Sequence, residues 1–431
     1  MHTRRDFLGA IAMPSVAAAA PGFDPVRAAE ALLARPAAAA VPGAAASDED
    51  FWFEIARAFA VDRSIVNLNN GGVCPAPSVA QDSLKRYLDH ANTAPSYVLW
   101  RLQEPQKEGV RKRLGKLFGC DPEELAITRN ASEGLQICQF GIDLEPGDEV
   151  VSTNQDYPRM VQSFEQRAAR EGIVYRQISI PVPATDPERV VELYEAAITK
   201  RTKLLLVSHM VNLTGQILPV ADIVAMARRH GVRVIIDGAH ALAHFAFSLT
   251  ELDCDYYATS LHKWLFAPVG TGLLYVRRER IGELWPLMAA QESMREDIRK
   301  FEQIGTHPEG YALSVGDAAA FHEALGSERK QARLEYLRDR WARRLAEHDR
   351  FRLHTSLEPG FSCGIATFEI EGLAPADLQR WLWSKHKIYT TTIHHKEFRG
   401  IRVSPCVYTL PDEVDRFAAA VEHALAHGID G

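Results

Sequence analysis

The sequence lacks an excess of basic residues, any cysteine pair with metal-binding spacing and, beyond its first residues, any long apolar run. Its 431 residues carry 49 lysines and arginines against 56 aspartates and glutamates, which gives a formal net charge of −7. Without a basic excess, no nucleic-acid partner is predicted. None of the six cysteines belongs to a C-x-x-C pair, so no metal site is predicted. No internal segment approaches about 18 uninterrupted apolar residues, so no stable membrane span is predicted.

The first twenty residues, MHTRRDFLGAIAMPSVAAAA, differ from the rest of the chain. Arg4 and Arg5 precede a short apolar stretch and an alanine run suited to signal peptidase. The string T-R-R-D-F-L resembles a twin-arginine export signal, although a tail with chance arginines would look similar. We therefore predict a signal peptide and an Ala/Pro-rich linker over residues 1–46. The twin-arginine translocation machinery would then export the folded protein to the periplasm or the medium.

From about residue 65, short apolar segments alternate with helical patterns. The segments KLLLVSHM (203–210) and VRVIIDGAH (232–240) are nearly continuous apolar runs, as expected of strands buried on both faces. This alternation predicts an α/β fold with a mostly parallel sheet. After about residue 330 a long amphipathic helix leads into short strands and helices, which indicates a small α+β domain. We expect a large domain over 47–330, with an N-terminal arm at 47–65, and a small C-terminal domain over 331–431.

Asp237, His240, His262 and Lys263 follow predicted strand ends, where ligands bind in such sheets. A lysine that forms a Schiff base must lose its proton, and burial among apolar neighbours lowers its pKa. Pyridoxal 5′-phosphate (PLP) needs such a lysine and a carboxylate at its pyridine nitrogen. Taken singly, Lys263 is also explained as a surface lysine and Asp237 as a helix cap.

PLP also needs a phosphate site and an aromatic residue beside its ring. The segment T-R-N-A-S-E-G (128–134) joins a strand to a helix N-terminus, where backbone amides and hydroxyls bind phosphate. Thr128, Ala131 and Ser132 are the candidates. Tyr157 follows the next strand and is positioned to stack on a ring. Helix capping and core packing explain these residues equally well.

An amino acid substrate would bring a carboxylate to the same pocket. Arg402 lies in G-I-R-V-S-P at the start of a predicted strand of the small domain, and arginine binds carboxylates bidentately. Asn70, in LNNGGVCPAP, could contribute to the same pocket. A surface arginine is the ordinary alternative.

The ordered set of motifs resembles the class V aminotransferase family of fold type I PLP-dependent enzymes, including its isopenicillin N epimerase-like and cysteine desulfurase-like members. The resemblance covers roughly residues 65–430. It implies a large domain with a mostly parallel, seven-stranded sheet, a small α+β domain, and a homodimer with shared active sites.

The resemblance also implies a role for each matching residue. Lys263 would form the Schiff base and act as the general base at the substrate's α-carbon. Asp237 would pair with the pyridine nitrogen, and His240 would hydrogen-bond the cofactor's phenolic oxygen. Asn212 would approach the same ring edge, and Arg402 would bind the substrate carboxylate. The residues implied to hold the phosphate are Ala131, Ser132, Ser260 and His262, assisted by Thr271, together with Thr306 of the neighbouring subunit.

One segment departs from the desulfurase pattern. Cysteine desulfurases place a cysteine directly after the paired histidines of a segment like TTTIHHKEFRGIRVS (390–404), whereas this chain has Lys396 there. Cys363 and Cys406 lie outside that loop, so persulfide chemistry is not expected.

Three reactions at the α-carbon of an amino acid or peptide-borne amine share the same first proton transfer. These are transamination, epimerisation and elimination of a β-substituent, as in a C–S lyase. We predict transamination because it needs only Lys263, whereas epimerisation needs a second acid or base, for which Tyr157, His394 and His395 are candidates. A non-catalytic protein on this fold should have lost the lysine, the aspartate or the phosphate loop, and none is missing. A nicotinamide dehydrogenase would need G-x-G-x-x-G after an early strand, which the sequence does not have.

Overall fold

A computed structural model describes residues 45–429 of the chain. Except for Ala45 and Ala46, the predicted signal peptide and linker lie outside this range. Within it, no helix combines the length and apolarity needed to cross a membrane.

Thirteen short strands make up the β-structure of the described residues. In chain order they are β1 (Val66–Asn67), β2 (Leu125–Thr128), β3 (Glu149–Thr153), β4 (Val174–Ile178), β5 (Thr202–Ser208), β6 (Arg233–Asp237), β7 (Tyr256–Ser260), β8 (Gly272–Val276), β9 (Phe351–Leu353), β10 (Ala366–Ile370), β11 (Ile388–Tyr389), β12 (Thr391–His394) and β13 (Arg399–Val403).

Eleven helices of nine residues or more pack on these strands within the described range. They are α1 (Glu49–Arg57), α2 (Ser78–Thr93), α3 (Lys107–Phe118), α4 (Ala131–Gly141), α5 (Pro158–Glu171), α6 (Pro187–Ala197), α7 (Val220–Arg229), α8 (Gly310–Leu325), α9 (Ser327–Leu345), α10 (Pro375–His386) and α11 (Pro411–His427). Shorter turns include a π-helical stretch at Val98–Gln103.

The central sheet has seven strands in the order β2-β8-β7-β6-β5-β3-β4. Strands β3 to β7 pair in parallel, and β8 runs antiparallel to both of its neighbours. Successive residues of β5 and β6 enter cores on opposite faces: Leu205 and Ile236 join one cluster, and Leu204 and Ile235 the other. Burial on both faces explains the continuous apolar runs in the sequence. The predicted mostly parallel, seven-stranded α/β sheet is confirmed.

The chain after residue 345 forms a second, antiparallel sheet in the order β12-β13-β10-β9. Its core contains Trp341, which makes ring contacts with Phe368 and Phe417. We call the central sheet with its helices the large domain, and this smaller sheet with α10 and α11 the small domain. The predicted domain boundary at residue 330 falls inside α9. This helix packs on both domains, since Leu334 belongs to the core of the large domain and Leu337 to that of the small domain.

The segment before α2 joins the two domains. Strand β1 pairs in parallel with β11, and Asn69 forms a bridge with Ser404 just beyond β13. This pairing places residues 69–72 beside the strand that carries Arg402. At the start of the described chain, the buried Arg333 of α9 donates hydrogen bonds to the Ala46 carbonyl and to the Glu49 carboxylate. These bonds anchor α1 to α9.

Candidate active site

Residues from five neighbouring strands meet at one edge of the central sheet. The strand register places Ser208 beside Asp237, and Gly272 beside both Ser260 and Thr128. Because β5, β6 and β7 are parallel, their carboxyl ends open on the same side, where ligands bind in such sheets. A cavity of about 440 Å³ lies there. Its lining includes Gly71, Gly72, Asn130, Ala131, Ser132, Tyr157, Ser208, Met210, Asn212, Asp237, His240, Ser260, His262, Lys263, Val269, Gly270 and Arg402.

Lys263 lies in the turn after β7 and lines this cavity. Its Nζ is 2.9 Å from His240 Nε2. Burial lowers the pKa of Lys263 to about 8, while the nearby Asp237 carboxylate acts in the opposite direction. Much of the amine is therefore neutral near pH 8, which is the form that attacks a carbonyl.

His240 and Asp237 face the same cavity from the end of β6. Burial lowers the pKa of His240 well below its usual value, so the imidazole is neutral and Nε2 can accept a hydrogen bond from Lys263 Nζ. The His240 carbonyl accepts a hydrogen bond from His244, whose ring stacks on Trp264 with centroids 3.6 Å apart. Asp237 accepts the Ala239 N–H at 2.9 Å, and burial raises the pKa of its carboxyl group.

The amino end of α4 forms another wall of the cavity. The Ala131 N–H donates to Ser260 Oγ at 2.9 Å, which leaves the Ser260 hydroxyl proton available to a ligand. His262 is held by a 3.0 Å contact between Nδ1 and the Thr271 carbonyl. A Cβ on Gly272 would lie 2.6 Å from Asn130 Cα, so only glycine lets β8 approach this loop so closely. The arrangement suits an anion at a helix N-terminus.

Arg402 brings a positive charge to the cavity from β13. It donates to the Asn212 carbonyl at 2.7 Å and to Asn69 Oδ1 at 2.9 Å. Its Nε is buried without a partner among the described residues, and burial lowers the pKa of the guanidinium to about 10. It remains charged at neutral pH and has hydrogen-bonding capacity left for a carboxylate.

Asn70 is placed differently from its prediction as a substrate ligand. It lies outside the cavity lining, and its Nδ2 donates to the carbonyls of Asn67 and Ser404. Its Oδ1 accepts from the Tyr408 hydroxyl and from Asn67 Nδ2. An asparagine side chain has two donors and two lone pairs, so Asn70 has no polar site left for a substrate. The neighbouring Asn69 contacts Arg402 instead.

Three other predicted phosphate ligands do not line this cavity. The Thr128 hydroxyl donates a hydrogen bond to the Asn130 carbonyl. The Thr271 hydroxyl donates a hydrogen bond to the Pro268 carbonyl. Both threonines line a smaller neighbouring cavity instead. Thr306 is exposed in the turn between Ile304 and His307. The predicted role of Thr306 concerns a second subunit and stays a prediction.

One buried carboxylate beside the cavity was not predicted. Asp156 accepts hydrogen bonds from Ser208 Oγ at 2.7 Å and from the Thr153 amide and hydroxyl at 2.6 and 2.8 Å. Burial raises the pKa of Asp156 to about 6. These bonds fix the turn that presents Tyr157, whose side chain is 39% exposed at the cavity. Asp156 was not singled out from the sequence.

The residues of the cavity fit PLP. Lys263, whose pKa is lowered, and the buried Asp237 carboxylate face one cavity. The N-terminus of α4, with the hydroxyl groups of Ser132 and Ser260, supplies a phosphate site. His240 Nδ1 and Arg402 Nε are buried polar atoms that lack partners among the described residues, so they have capacity for a polar ligand.

Comparisons with known proteins agree with this assignment. The Aminotransferase class-V family profile matches residues 66–417. The chain is 30% identical over 388 residues to an isopenicillin N epimerase of Streptomyces clavuligerus, which covers 86% of this chain and 98% of the relative. It is 29% identical over 338 residues to a cysteine desulfurase of Cronobacter sakazakii, and this match covers 73% of this chain and 81% of the relative.

A solved structure shares the fold and holds the cofactor. It is a variant of the protein C-DES with glycine covalently linked to PLP, and it matches with a TM-score of 0.73 and 25% identity. The match covers 85% of this chain and 97% of the other. The chain therefore belongs to the class-V aminotransferase family of PLP-dependent enzymes, with the type I fold.

Proposed function

We propose that this protein is an exported aminotransferase that acts at the α-carbon of an amino acid or an amino-acid-derived amine. The observation that carries the proposal is the position of Lys263, which shares one cavity with Asp237, His240 and Arg402. A proton-transfer group, a partner for the pyridine nitrogen and a carboxylate-binding group are thereby within reach of one small ligand.

Bound PLP supplies an electron sink that makes the α-hydrogen of an attached amino acid acidic. In this chain, Asp237 would hold the proton on the pyridine nitrogen, and Ala131, Ser132, Ser260 and His262 would hold the phosphate. Arg402 would bind the substrate carboxylate and so fix which substituent of the α-carbon faces Lys263. The Lys263 amine would then remove the α-proton.

Transamination would need one further proton transfer, for which the Lys263 amine would carry the α-proton from the substrate to the cofactor. A single amine on one face of the ring is sufficient for both transfers. Cysteine persulfide chemistry receives no support, because no cysteine is among the described residues that line the cavity. Cys363 and Cys406 are both fully buried elsewhere.

Epimerisation is the second candidate. It requires an acid or base on the face opposite the lysine, and of the three candidates only Tyr157 lines the cavity. His395 uses both ring nitrogens in contacts with Asn154 and Glu397. The relative named isopenicillin N epimerase, matched over 98% of its length, also favours this alternative.

Export and dimerisation complete the proposal. The twin-arginine pattern at Arg4 and Arg5 supports export of the folded, PLP-loaded protein to the periplasm or medium. Exposure of Thr306 and of Val269, which is 61% exposed at the cavity, supports a homodimer in which a second subunit completes the site.

The deciding experiment incubates the PLP-loaded enzyme with a panel of L-amino acids and 2-oxoglutarate in deuterated water. Release of the matching keto acid supports transamination. Exchange of the α-hydrogen with inversion and without keto acid contradicts transamination and supports epimerisation. In the second case, Tyr157→Phe should abolish inversion while retaining exchange on one face.

A further inference from the structure

The tip of the β12–β13 hairpin contacts the large domain. Glu397 accepts hydrogen bonds from Ser179 Oγ at 2.6 Å and from Asn154 Nδ2 at 2.9 Å. His395 Nε2 lies 3.1 Å from the Asn154 carbonyl, and its Nδ1 accepts the Glu397 N–H at 3.3 Å. Since Nδ1 accepts, Nε2 carries the proton and donates to Asn154. Four residues thus tie the hairpin to the ends of β3 and β4.

The two segments joined by these contacts both contribute to the cavity. Asn154 opens the turn that presents Tyr157, and Asp156 fixes this turn to β5 through Ser208. On the other side, Glu397 precedes β13, in which Arg402 pairs with Thr391 across the hairpin. The hairpin tip therefore acts together with the Arg402–Asn212 hydrogen bond in setting where the Arg402 guanidinium lies relative to the large domain.

The hairpin also has packing and pairing contacts that do not involve Glu397. The Phe398 side chain is buried and packs against the rings of His395 and His354, with centroids 4.8 and 5.3 Å apart. Four residue pairs also join β12 to β13. The bonds of Glu397, by contrast, lie at the surface and cross between domains. Surface hydrogen bonds are individually weak and can open and close at little cost.

We propose that Glu397 and His395 form an interdomain clasp that positions Arg402 for the substrate carboxylate, with Glu397 as a positioning residue. The proposal rests on the proposed function of this site. Lys396, which stands where the resembling desulfurases carry a cysteine, lies between the two clasp residues. Lys263 and Asp237 belong to the large domain, so loss of the clasp should weaken substrate binding more than it slows the proton transfers.

Steady-state kinetics of the PLP-loaded enzyme test the proposal with three variants. Glu397→Ala should raise KM for an amino acid substrate about tenfold, as expected for loss of one or two hydrogen bonds, with kcat changed less than about twofold. Glu397→Gln keeps an oxygen for both donors and should stay within about twofold of wild type in KM. Glu371→Ala, an exposed glutamate after β10, should leave both constants unchanged. Equal losses of kcat and kcat/KM in Glu397→Ala would overturn the positioning role.

Hydrogen exchange provides a readout that does not depend on the reaction. In the PLP-loaded Glu397→Ala protein, amides of residues 391–403 and 153–157 should exchange faster than in wild type, and the rest of the large domain should be unchanged. Unchanged exchange in both segments would overturn the clasp even if no substrate is found. Faster exchange without any amino acid turnover would support the clasp and count against the proposed function instead.

Discussion

The rate at which PLP attaches to the apoenzyme should depend on pH in a way set by the burial of Lys263. Burial lowers the pKa of this amine from 10.5 to about 8. The difference, 10.5 − 8, is 2.5 pH units, so at pH 7 Lys263 offers about 300-fold more neutral amine than an ordinary lysine. Only the neutral amine attacks the aldehyde of PLP. Attachment should therefore accelerate about tenfold per pH unit below pH 8 and level off above it.

Stopped-flow absorbance after mixing apoenzyme with PLP measures this rate directly. The series should run from about pH 6 to 10 at constant ionic strength, with Lys263→Ala as the control that forms no covalent bond. A rate that continues to rise well above pH 9 would refute the reasoning, because it would mean that Lys263 titrates like an exposed lysine.

Three further predictions concern other parts of the cavity. Asp237→Asn should lower turnover by roughly 100- to 1000-fold, whereas PLP attachment at pH 7 should not slow, because the Asp237 charge raises the pKa of Lys263 and its loss lowers it. Slower attachment would contradict this. Arg402→Lys should raise KM by roughly 10- to 100-fold in steady-state assays, because a bidentate charged pair is lost; an unchanged KM would remove Arg402 from substrate binding. Gly272→Ala should weaken PLP affinity at least about tenfold in equilibrium dialysis, because its Cβ would lie 2.6 Å from Asn130 Cα; unchanged affinity would show that the phosphate loop is elsewhere.

The sequence predicted the features that depend on local pattern. Strands buried on both faces are apolar throughout, and parallel strands place their carboxyl ends on one edge. Asp237 and Lys263 could therefore be expected at the same edge of the sheet, and their joint role rested on the other motifs. The sequence could not show that β8 runs antiparallel, since an antiparallel strand within a buried sheet has the same apolar pattern.

The sequence alone could not show which of two adjacent residues of the same type contacts the site. Asn69 and Asn70 are neighbours of the same type, and only the bridge from Asn69 to Ser404 decides which side chain reaches Arg402. Asp156 was missed for a related reason. Its partner Ser208 lies 52 residues away, and that pairing arises only when β3 and β5 align.

The central claim is that Lys263 carries the cofactor. Reduction of the PLP-loaded enzyme with borohydride, followed by proteolysis and mass spectrometry, locates the modified residue directly. Lys330 provides an internal comparison, because burial also lowers the pKa of its amine, to about 7, yet it lies outside the cavity lining. We predict the reduced cofactor on the peptide containing Lys263 and none on Lys330. Modification of Lys330, or of any lysine other than Lys263, would contradict this assignment.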